Sequence, residues 1–353
     1  MSIIKQVKMK ITFIAAILLI SVNISNAQTQ PPKGPAANKA IKAYSAGDID
    51  QLAKDLPAMV SAFPTHPFTI FFKAFVADRK DNNVQEALKG YSEVIKAAPD
   101  LMEPYLYRAI IFNEKGMYEK AIEDMTNAIK NDDQKQSNLY TLRGEIYDYA
   151  GKQNEAFADF KQAILISPSI AKNYRGLKST SFSINKNEEA AAILKKAIEG
   201  TEAETAGVWA VRADINLRTK QFSVADKAFD KSISLSAAHH TTTEQPDANT
   251  YNSAAIAALN TNNISKAKQL AEKAVAVSPK DHIYYCNRAE ISYSDKTWEE
   301  VYTWAQKALQ LNPKSARANM LMAVGVKLTN RGDALSKQYE YKSKQLQAEG
   351  VQD

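Results

Sequence analysis

The side chains that could carry out chemistry are few in this chain of 353 residues. A zinc site needs three or four convergent Cys or His ligands. The four histidines, His66, His239, His240 and His282, include one adjacent pair and no other partner at ligand spacing. Cys286, the single cysteine, has no third group to activate it, which predicts a buried or half-buried, inert thiol. Phosphate-binding glycine loops, nucleophile elbows and paired carboxylate motifs are also missing. We therefore predict no catalytic residue, no metal and no cofactor.

The first 27 residues have the composition of a secretory signal peptide. Lys5, Lys8 and Lys10 precede the apolar run Ile11–Val22, and small residues lead to a cleavage position after Ala27. This run is too short to cross a bilayer core of about 30 Å. We predict an exported protein, periplasmic or secreted, that does not span a membrane once the signal is removed. Losing three lysines lowers the formal net charge from +6 to +3, too little to predict nucleic-acid binding.

A recurring pattern of aromatic and small residues organises the rest of the chain. Its clearest copy lies within 138–168 and places these residues at the pattern positions: Tyr140, Gly144, Tyr147, Ala156, Phe160, Ala163 and Pro168. This copy resembles the tetratricopeptide repeat (TPR), a 34-residue helix–turn–helix, in which they occupy repeat positions 4, 8, 11, 20, 24, 27 and 32. In the same register, copies begin near residues 34, 68, 102, 137, 171, 206, 248, 282 and 316.

The resemblance implies an all-α fold, an α-solenoid wound into a right-handed superhelix, with about seven clear helix pairs and degenerate repeats at the ends. Neither helix of a copy can bury its apolar face alone, so the copies must stack. Pro57 falls inside the second helix of the first copy, which is therefore degenerate or has a shortened helix. We predict these segments: signal peptide (1–27), flexible lead (28–33), six repeats with the first degenerate (34–236), insertion loop (237–247), two repeats (248–315), and C-terminal capping helices with a tail (316–353).

Two places in the pattern leave alternatives open. The pair Arg175–Gly176 could match Arg143–Gly144, which would lengthen that helix by two residues. The polar, Thr-rich segment 237–247 is either a solvated loop or a binding or hinge element.

Four arginines, each followed by Ala or Gly, occupy repeat position 7: Arg108, Arg143, Arg212 and Arg288. Such repetition could indicate a ladder of ligand contacts. In two copies, however, Asp124 and Asp159 stand at position 23 of the facing helix. We therefore predict Arg–Asp bridges between the two helices of these copies. The other two copies lack this Asp, so their arginines have no predicted partner.

By resemblance to the family, positions 2, 5, 9, 12 and 13 of each first helix face a concave groove that binds peptides. The candidate groove contacts are Glu145, Asp148, Tyr149, Asp214, Leu217, Arg218, Asn252, Ile256 and Tyr293. Their mixture of charged and apolar side chains suits an extended peptide or a partner helix. We predict a non-enzymatic scaffold of the cell envelope that binds a protein or peptide partner. The alternative is an accessory subunit of a complex that handles polysaccharide or peptidoglycan, with tyrosines stacked on sugars.

Overall fold

The computed structural model describes residues 30–198, 205–238 and 246–351. These residues form eighteen α-helices and no β-strand. The predicted signal peptide and residues 239–245 of the predicted loop lie outside them. The helices are α1 (Pro35–Ser45), α2 (Ile49–Ala62), α3 (Pro67–Arg79), α4 (Val84–Ala97), α5 (Met102–Glu114), α6 (Tyr118–Lys130), α7 (Ser137–Tyr149), α8 (Gln153–Ile166), α9 (Ala171–Ser183), α10 (Asn187–Ile198), α11 (Ala206–Arg218), α12 (Phe222–Ala238), α13 (Ala248–Asn260), α14 (Ile264–Val277), α15 (His282–Ser294), α16 (Trp298–Leu311), α17 (Ala316–Leu328) and α18 (Asp333–Ala348).

The helices are arranged as consecutive pairs, each with an odd-numbered first helix and an even-numbered second helix joined by a short turn. The chain divides into two compact units: unit 1 ends at Ser167, and unit 2 begins at Pro168. Within each unit, the second helix of one pair contacts the first helix of the next. Each unit is therefore a stack of helix pairs, the arrangement of an α-solenoid. No helix in the described ranges has the length and apolar composition needed to cross a membrane.

Small residues allow the two helices of a pair to approach closely. A Cβ atom added to Gly144 would lie 3.2 Å from the Phe160 ring, and Ala156 and Ala163 on the same second helix are fully buried. In the copy that begins near residue 68, α3 starts at Pro67 and its Ala74 faces Gly90. The first helix of this copy is therefore displaced by one residue from the predicted register, and its turn is one residue longer.

The cores of the two units differ in composition. In unit 1, the buried rings of Tyr44, Phe71, Phe72, Phe75 and Tyr107 pack against one another. The Tyr44 and Tyr107 hydroxyls lie 3.3 Å apart, and burial raises the pKa of Tyr107 to about 12. In unit 2, a cluster around Phe229 consists largely of buried alanines contributed by consecutive helix pairs. Large rings fill the space between the helices in the unit 1 core. In the unit 2 core the small alanines let the helix backbones lie closer together, so less space remains to be filled.

Each turn inside a pair includes a residue with positive φ, which ends the first helix and redirects the chain. These residues are Gly47, Asn82, Gly116, Gly151, Asn185, Lys220, Asn262, Lys296 and Asn330. Glycine and asparagine adopt this left-handed conformation at low cost. Lysine does not, so the turns at Lys220 and Lys296 carry backbone strain that the others avoid.

The expected shortening at Pro57 is wrong. Helix α2 runs through Pro57 to its full 14 residues. Proline cannot donate the hydrogen bond that would reach the carbonyl of Ala53, but Pro57 lies on the exposed side of the helix, where water can bond to that carbonyl. The fully buried Leu52 and Met59 hold the helix on both sides of the proline.

Three further boundaries follow from the helices. Helix α9 has 13 residues, like its neighbours α7 and α11, so the lengthened alternative at Arg175–Gly176 is wrong. Helix α12 continues through Ala238, two residues into the predicted loop. Near its end, the buried Ser232 and Ser236 donate hydrogen bonds to the carbonyls of Ala206 on α11 and of Ser232. After the break at 330–332, the polar helix α18 packs on α17.

Candidate functional site

The arginine at position 7 forms the predicted bridge in two repeats. The Arg108 Nε and Nη2 atoms each donate to one Asp124 oxygen at 2.7 Å. The Arg143 Nε and Nη2 atoms bind the two Asp159 oxygens at 2.7 and 2.8 Å. Both predicted Arg–Asp bridges are therefore confirmed, and both are bidentate.

These bridges also reach the preceding helix pair, which the sequence did not predict. Arg108 Nη1 donates to Ser92 Oγ at 2.9 Å, and Arg143 Nη1 donates to Thr126 Oγ1 at 3.1 Å. Hydrogen bonding to Asp124 raises the pKa of Arg108. Each guanidinium thus joins three helices and remains charged.

Arg288 has different partners, which sequence reasoning missed. Its side chain is buried, and its guanidinium binds Glu272 of the preceding pair at 2.9 Å and Glu300 of its own pair at 3.1 Å. Glu300 also accepts a hydrogen bond from Ser292 at 2.8 Å. Arg288 is therefore structural as well, with glutamates at positions 25 and 19 in place of the aspartate at 23.

Arg212 is the exception among the four. Its guanidinium lies 4.9 Å from the centre of the Trp209 ring, and it forms no hydrogen bond or ion pair in the described part of the chain. A cavity of about 420 Å³ opens between α11 and α12 beside it. We name this cavity the Arg212 pocket; it is lined by Trp209, Arg212, Val224, Lys227, Ala228 and Lys231.

The predicted groove residues of unit 1 all lie on α7. Glu145 and Asp148 are half-buried, and Asp148 Oδ1 accepts a hydrogen bond from Gln153 Nε2 at 2.6 Å. Tyr149 is 66% exposed and stacks on Tyr118, with 6.3 Å between ring centres. Tyr149 is therefore an exposed aromatic surface at this position, whereas Asp148 joins the end of α7 to the start of α8.

On α11, two of the three predicted residues, Asp214 and Arg218, contact the preceding first helix α9. Asp214 accepts a hydrogen bond from Lys178 Nζ at 2.7 Å. The Arg218 guanidinium lies 5.2 Å from the centre of the Phe182 ring, and Leu217 packs partly buried against the unit 2 core. The charge on Asp214 is thus already paired within the fold, while Arg218 is exposed.

The remaining predicted residues lie on the first helices α13 and α15. Helix α15 contacts both α13 and the next first helix, α17. Asn287 Nδ2 donates to Asn252 Oδ1, and Arg317 Nη2 donates to Asn287 Oδ1. The Arg317 guanidinium also pairs with Glu290. This side-chain network joins the three helices along one face, which also carries the half-buried Ile256. We name it the first-helix face.

The end of the first-helix face is aromatic and apolar. Tyr293 is 50% exposed, and its ring centre lies 5.7 Å from that of Trp298. Trp298 and Leu328 line a second cavity of about 420 Å³ beside it. Asn287 and Trp298 were not among the predicted contacts. The repeat spacing of Asn252 and Asn287, 35 residues apart, is the signal that could have revealed their pairing.

The histidines and the cysteine have structural surroundings. His66 Nδ1 accepts from the Phe68 N–H at 3.3 Å, His282 Nε2 lies 3.2 Å from Asn312 Nδ2, and Cys286 is buried and unoxidised. His239 and His240 lie outside the described residues. Within those residues, no group of three His, Cys, Asp or Glu side chains is placed to hold a metal ion.

Comparisons with known proteins agree with this architecture. A family model described as tetratricopeptide repeat matches residues 137–170. Human tetratricopeptide repeat protein 13 is 28% identical over 137 residues, which are 37% of this chain and 16% of that protein. The aligned part is thus a small fraction of the human protein.

Two solved structures are similar in shape. The C-terminal part of a TPR repeat-containing protein from Cytophaga hutchinsonii is 19% identical, with a TM-score of 0.52, over 70% of this chain and 97% of that one. YrrB, described as a TPR protein with an unusual peptide-binding site, is 16% identical, with a TM-score of 0.45, over 56% of this chain and 96% of its own. At these identities, the likeness concerns the fold alone.

The stacked helix pairs, the small residues between them and the repeat match define a helical-repeat protein of the α-solenoid class. Within that class, residues 137–170 match the tetratricopeptide repeat, and the other described helix pairs share its helix–turn–helix arrangement. Such repeats support a scaffold for protein–protein interaction.

Proposed function

We propose that this scaffold binds an extended segment of a partner protein along the first-helix face of unit 2. The continuous face shared by α13, α15 and α17 is the observation that carries the proposal. Its polar network fixes the side chains before binding, which lowers the entropic cost of recognition. Half-buried Asn252 offers its amide group to a peptide backbone, buried Asn287 holds it in place, and Ile256 supplies apolar contact.

Tyr293 is the proposed anchor at the end of this face. A half-exposed tyrosine packed on a tryptophan provides a large contact area with little loss of side-chain entropy, as in binding hot spots. The cavity beside Trp298 can accept an apolar side chain of the partner. Exposed Arg218 supplies positive charge on the neighbouring first helix α11.

Photo-cross-linking tests this proposal. A benzophenone amino acid in place of Tyr293 is expected to cross-link one defined protein from a cell-envelope extract, and the Ile256→Gln change should abolish that product. The matched control places the same probe at Gln306, an exposed residue of second helix α16, where no such product is expected. Equal cross-linking at both positions, or retention on isolated peptidoglycan without any protein product, would contradict the proposal.

We also propose that the protein acts in the cell envelope. The basic, apolar and small-residue order of residues 1–27 supports export. Mass spectrometry of the protein from an envelope fraction is expected to find a mature chain that begins at Gln28. An intact chain recovered from the cytoplasm would overturn this assignment.

A further inference from the structure

The Arg212 pocket lacks the carboxylates, and the hydroxyls of the preceding pair, that its sister arginines use. Those acceptors come from position 23 of the same pair, position 19 of the same pair and position 25 of the preceding pair. Arg288 also donates to Ser292 at position 11, where the Arg212 repeat has Asn216. At the three positions around Arg212 the residues are Ala228, Val224 and Lys195. One small residue, one apolar residue and one cation thus replace the carboxylates and hydroxyls that hold Arg108, Arg143 and Arg288.

Nearby acids of α12 do not compensate, because another residue engages them. Lys266 Nζ lies 2.8 Å from Asp226 Oδ1 and 2.7 Å from Asp230 Oδ1. On the pocket side of α12, Lys227 is exposed and lines the cavity opposite Arg212. The pocket is therefore positively charged on both of its helices.

Trp209, which lines the pocket, also has an unused hydrogen-bond donor. The Trp209 Nε1 atom is buried and has no hydrogen-bond partner among the described residues. Buried donors are normally paired, and leaving one unpaired is unfavourable. The Trp209 ring holds the Arg212 guanidinium by cation–π contact, so the cation is positioned without being neutralised.

We propose that the Arg212 pocket binds an Asp or Glu side chain from an acidic segment of a partner protein. The repeats of Arg108 and Arg143 show the geometry, since each seats a carboxylate of its own against this guanidinium. Replacing that aspartate with Ala228 leaves the guanidinium in place and opens the space for a carboxylate supplied from outside. The site is separate from the first-helix face, so either proposal can fail without the other.

Two-dimensional NMR of ¹⁵N-labelled protein tests this site through the Trp209 indole resonance, assigned by Trp209→Phe. The probe is a short, capped peptide rich in Asp and Glu, and the control is the same peptide with Asn and Gln. The acidic peptide alone is expected to shift the indole signal. Arg212→Gln should weaken its binding by about tenfold or more, as expected for loss of a charge-assisted pair.

Ala228→Asp is the decisive variant. It restores the internal pair of the sister repeats, so it should raise the melting temperature and abolish the peptide-induced shift, while Lys220→Gln on the adjacent turn leaves binding unchanged. Failure of the acidic peptide to shift the indole signal, or equal binding to wild type and Ala228→Asp, would overturn the proposal. A shift caused by inorganic phosphate but not by the acidic peptide would overturn the choice of a carboxylate ligand.

Discussion

The repeats that contain Arg143 and Arg212 place the same side chain at the same position and use it differently. In the first, Asp159 binds the guanidinium at 2.7 and 2.8 Å. In the second, Ala228 replaces the aspartate, and the guanidinium lies against Trp209 beside an open pocket. Changes on the facing helix and in the preceding pair thus remove the acceptors that make Arg143 a structural cation.

The comparison teaches that recurrence of a residue does not fix its role in a repeat protein. The role depends on whether neighbouring positions offer an acceptor. Arg288 supports this conclusion, because glutamates at two other positions bind it when Trp304 stands where the aspartate would be.

The largest expected effect comes from replacing Asp159 with alanine, the residue that stands at the same position in the Arg212 repeat. Asp159→Ala would leave the Arg143 side chain, only 16% exposed, without its counter-ion. Breaking a buried pair in this way is expected to cost about 3 kcal/mol in the free energy of unfolding, measured by urea denaturation. The double change Arg143→Met with Asp159→Ala should recover most of the loss, since no unpaired charge remains. If the single and double variants were equally unstable, the bridge would not be the cause.

The ion pair between Arg288 and Glu300 predicts that the stability of the fold depends on pH. Although burial alone would raise the pKa of Glu300, hydrogen bonds from Lys268 and Ser292 and the charge of Arg288 lower it from 4.5 to about 2. Because the folded-state pKa is depressed, Glu300 stabilises the fold above pH 4.5, and this stabilisation is lost as the pH falls towards about 2.

Glu300→Gln should therefore reduce the steepness of acid destabilisation between those pH values, measured by urea unfolding across the range. Glu299→Gln is the matched control, because Glu299 is exposed and pairs with Arg331 instead. Parallel pH profiles for wild type and Glu300→Gln would refute the assignment.

The smallest effects concern the turns of the same two repeats. Gly151 and Lys220 occupy equivalent left-handed positions, with φ of 75° and 60°. Gly151→Ala should lower the free energy of unfolding by about 1 kcal/mol. Lys220→Gly should raise it by about 0.5 kcal/mol, because relief of strain exceeds the added entropy of the unfolded chain. Both values are measurable by thermal unfolding. A stabilising Gly151→Ala change or a destabilising Lys220→Gly change would mean that the two turns are not equivalent.

The repeat architecture could be predicted because its determinants are local and recur. Gly144 and Phe160 meet at one helix contact, which the resemblance of their spacing to the tetratricopeptide repeat implies. The Arg–Asp bridges were predictable for the same reason, since both partners lie in one repeat. Such contacts depend on residue types at fixed separations rather than on the course of the whole chain.

Other features depend on tertiary contacts, which the spacing of residues along the chain does not reveal. Pro57 is tolerated because it lies on an exposed side of α2, and exposure is a tertiary property. The first helix at Pro67 is displaced because Ala74 packs against Gly90, although Phe71 offered an equally plausible register. The partners of Arg288 and the open pocket at Arg212 emerge only when three neighbouring positions from two helix pairs are considered together.

Hydrogen exchange at the arginine side chains tests the central comparison most directly. In ¹⁵N-labelled protein, each Nε–H signal can be assigned through single Arg→Lys variants. We expect slow exchange for Arg108, Arg143 and Arg288, whose Nε atoms donate to carboxylates, and exchange at the rate of exposed arginines for Arg212. Protection of Arg212 equal to that of Arg143, in the absence of any ligand, would contradict the account.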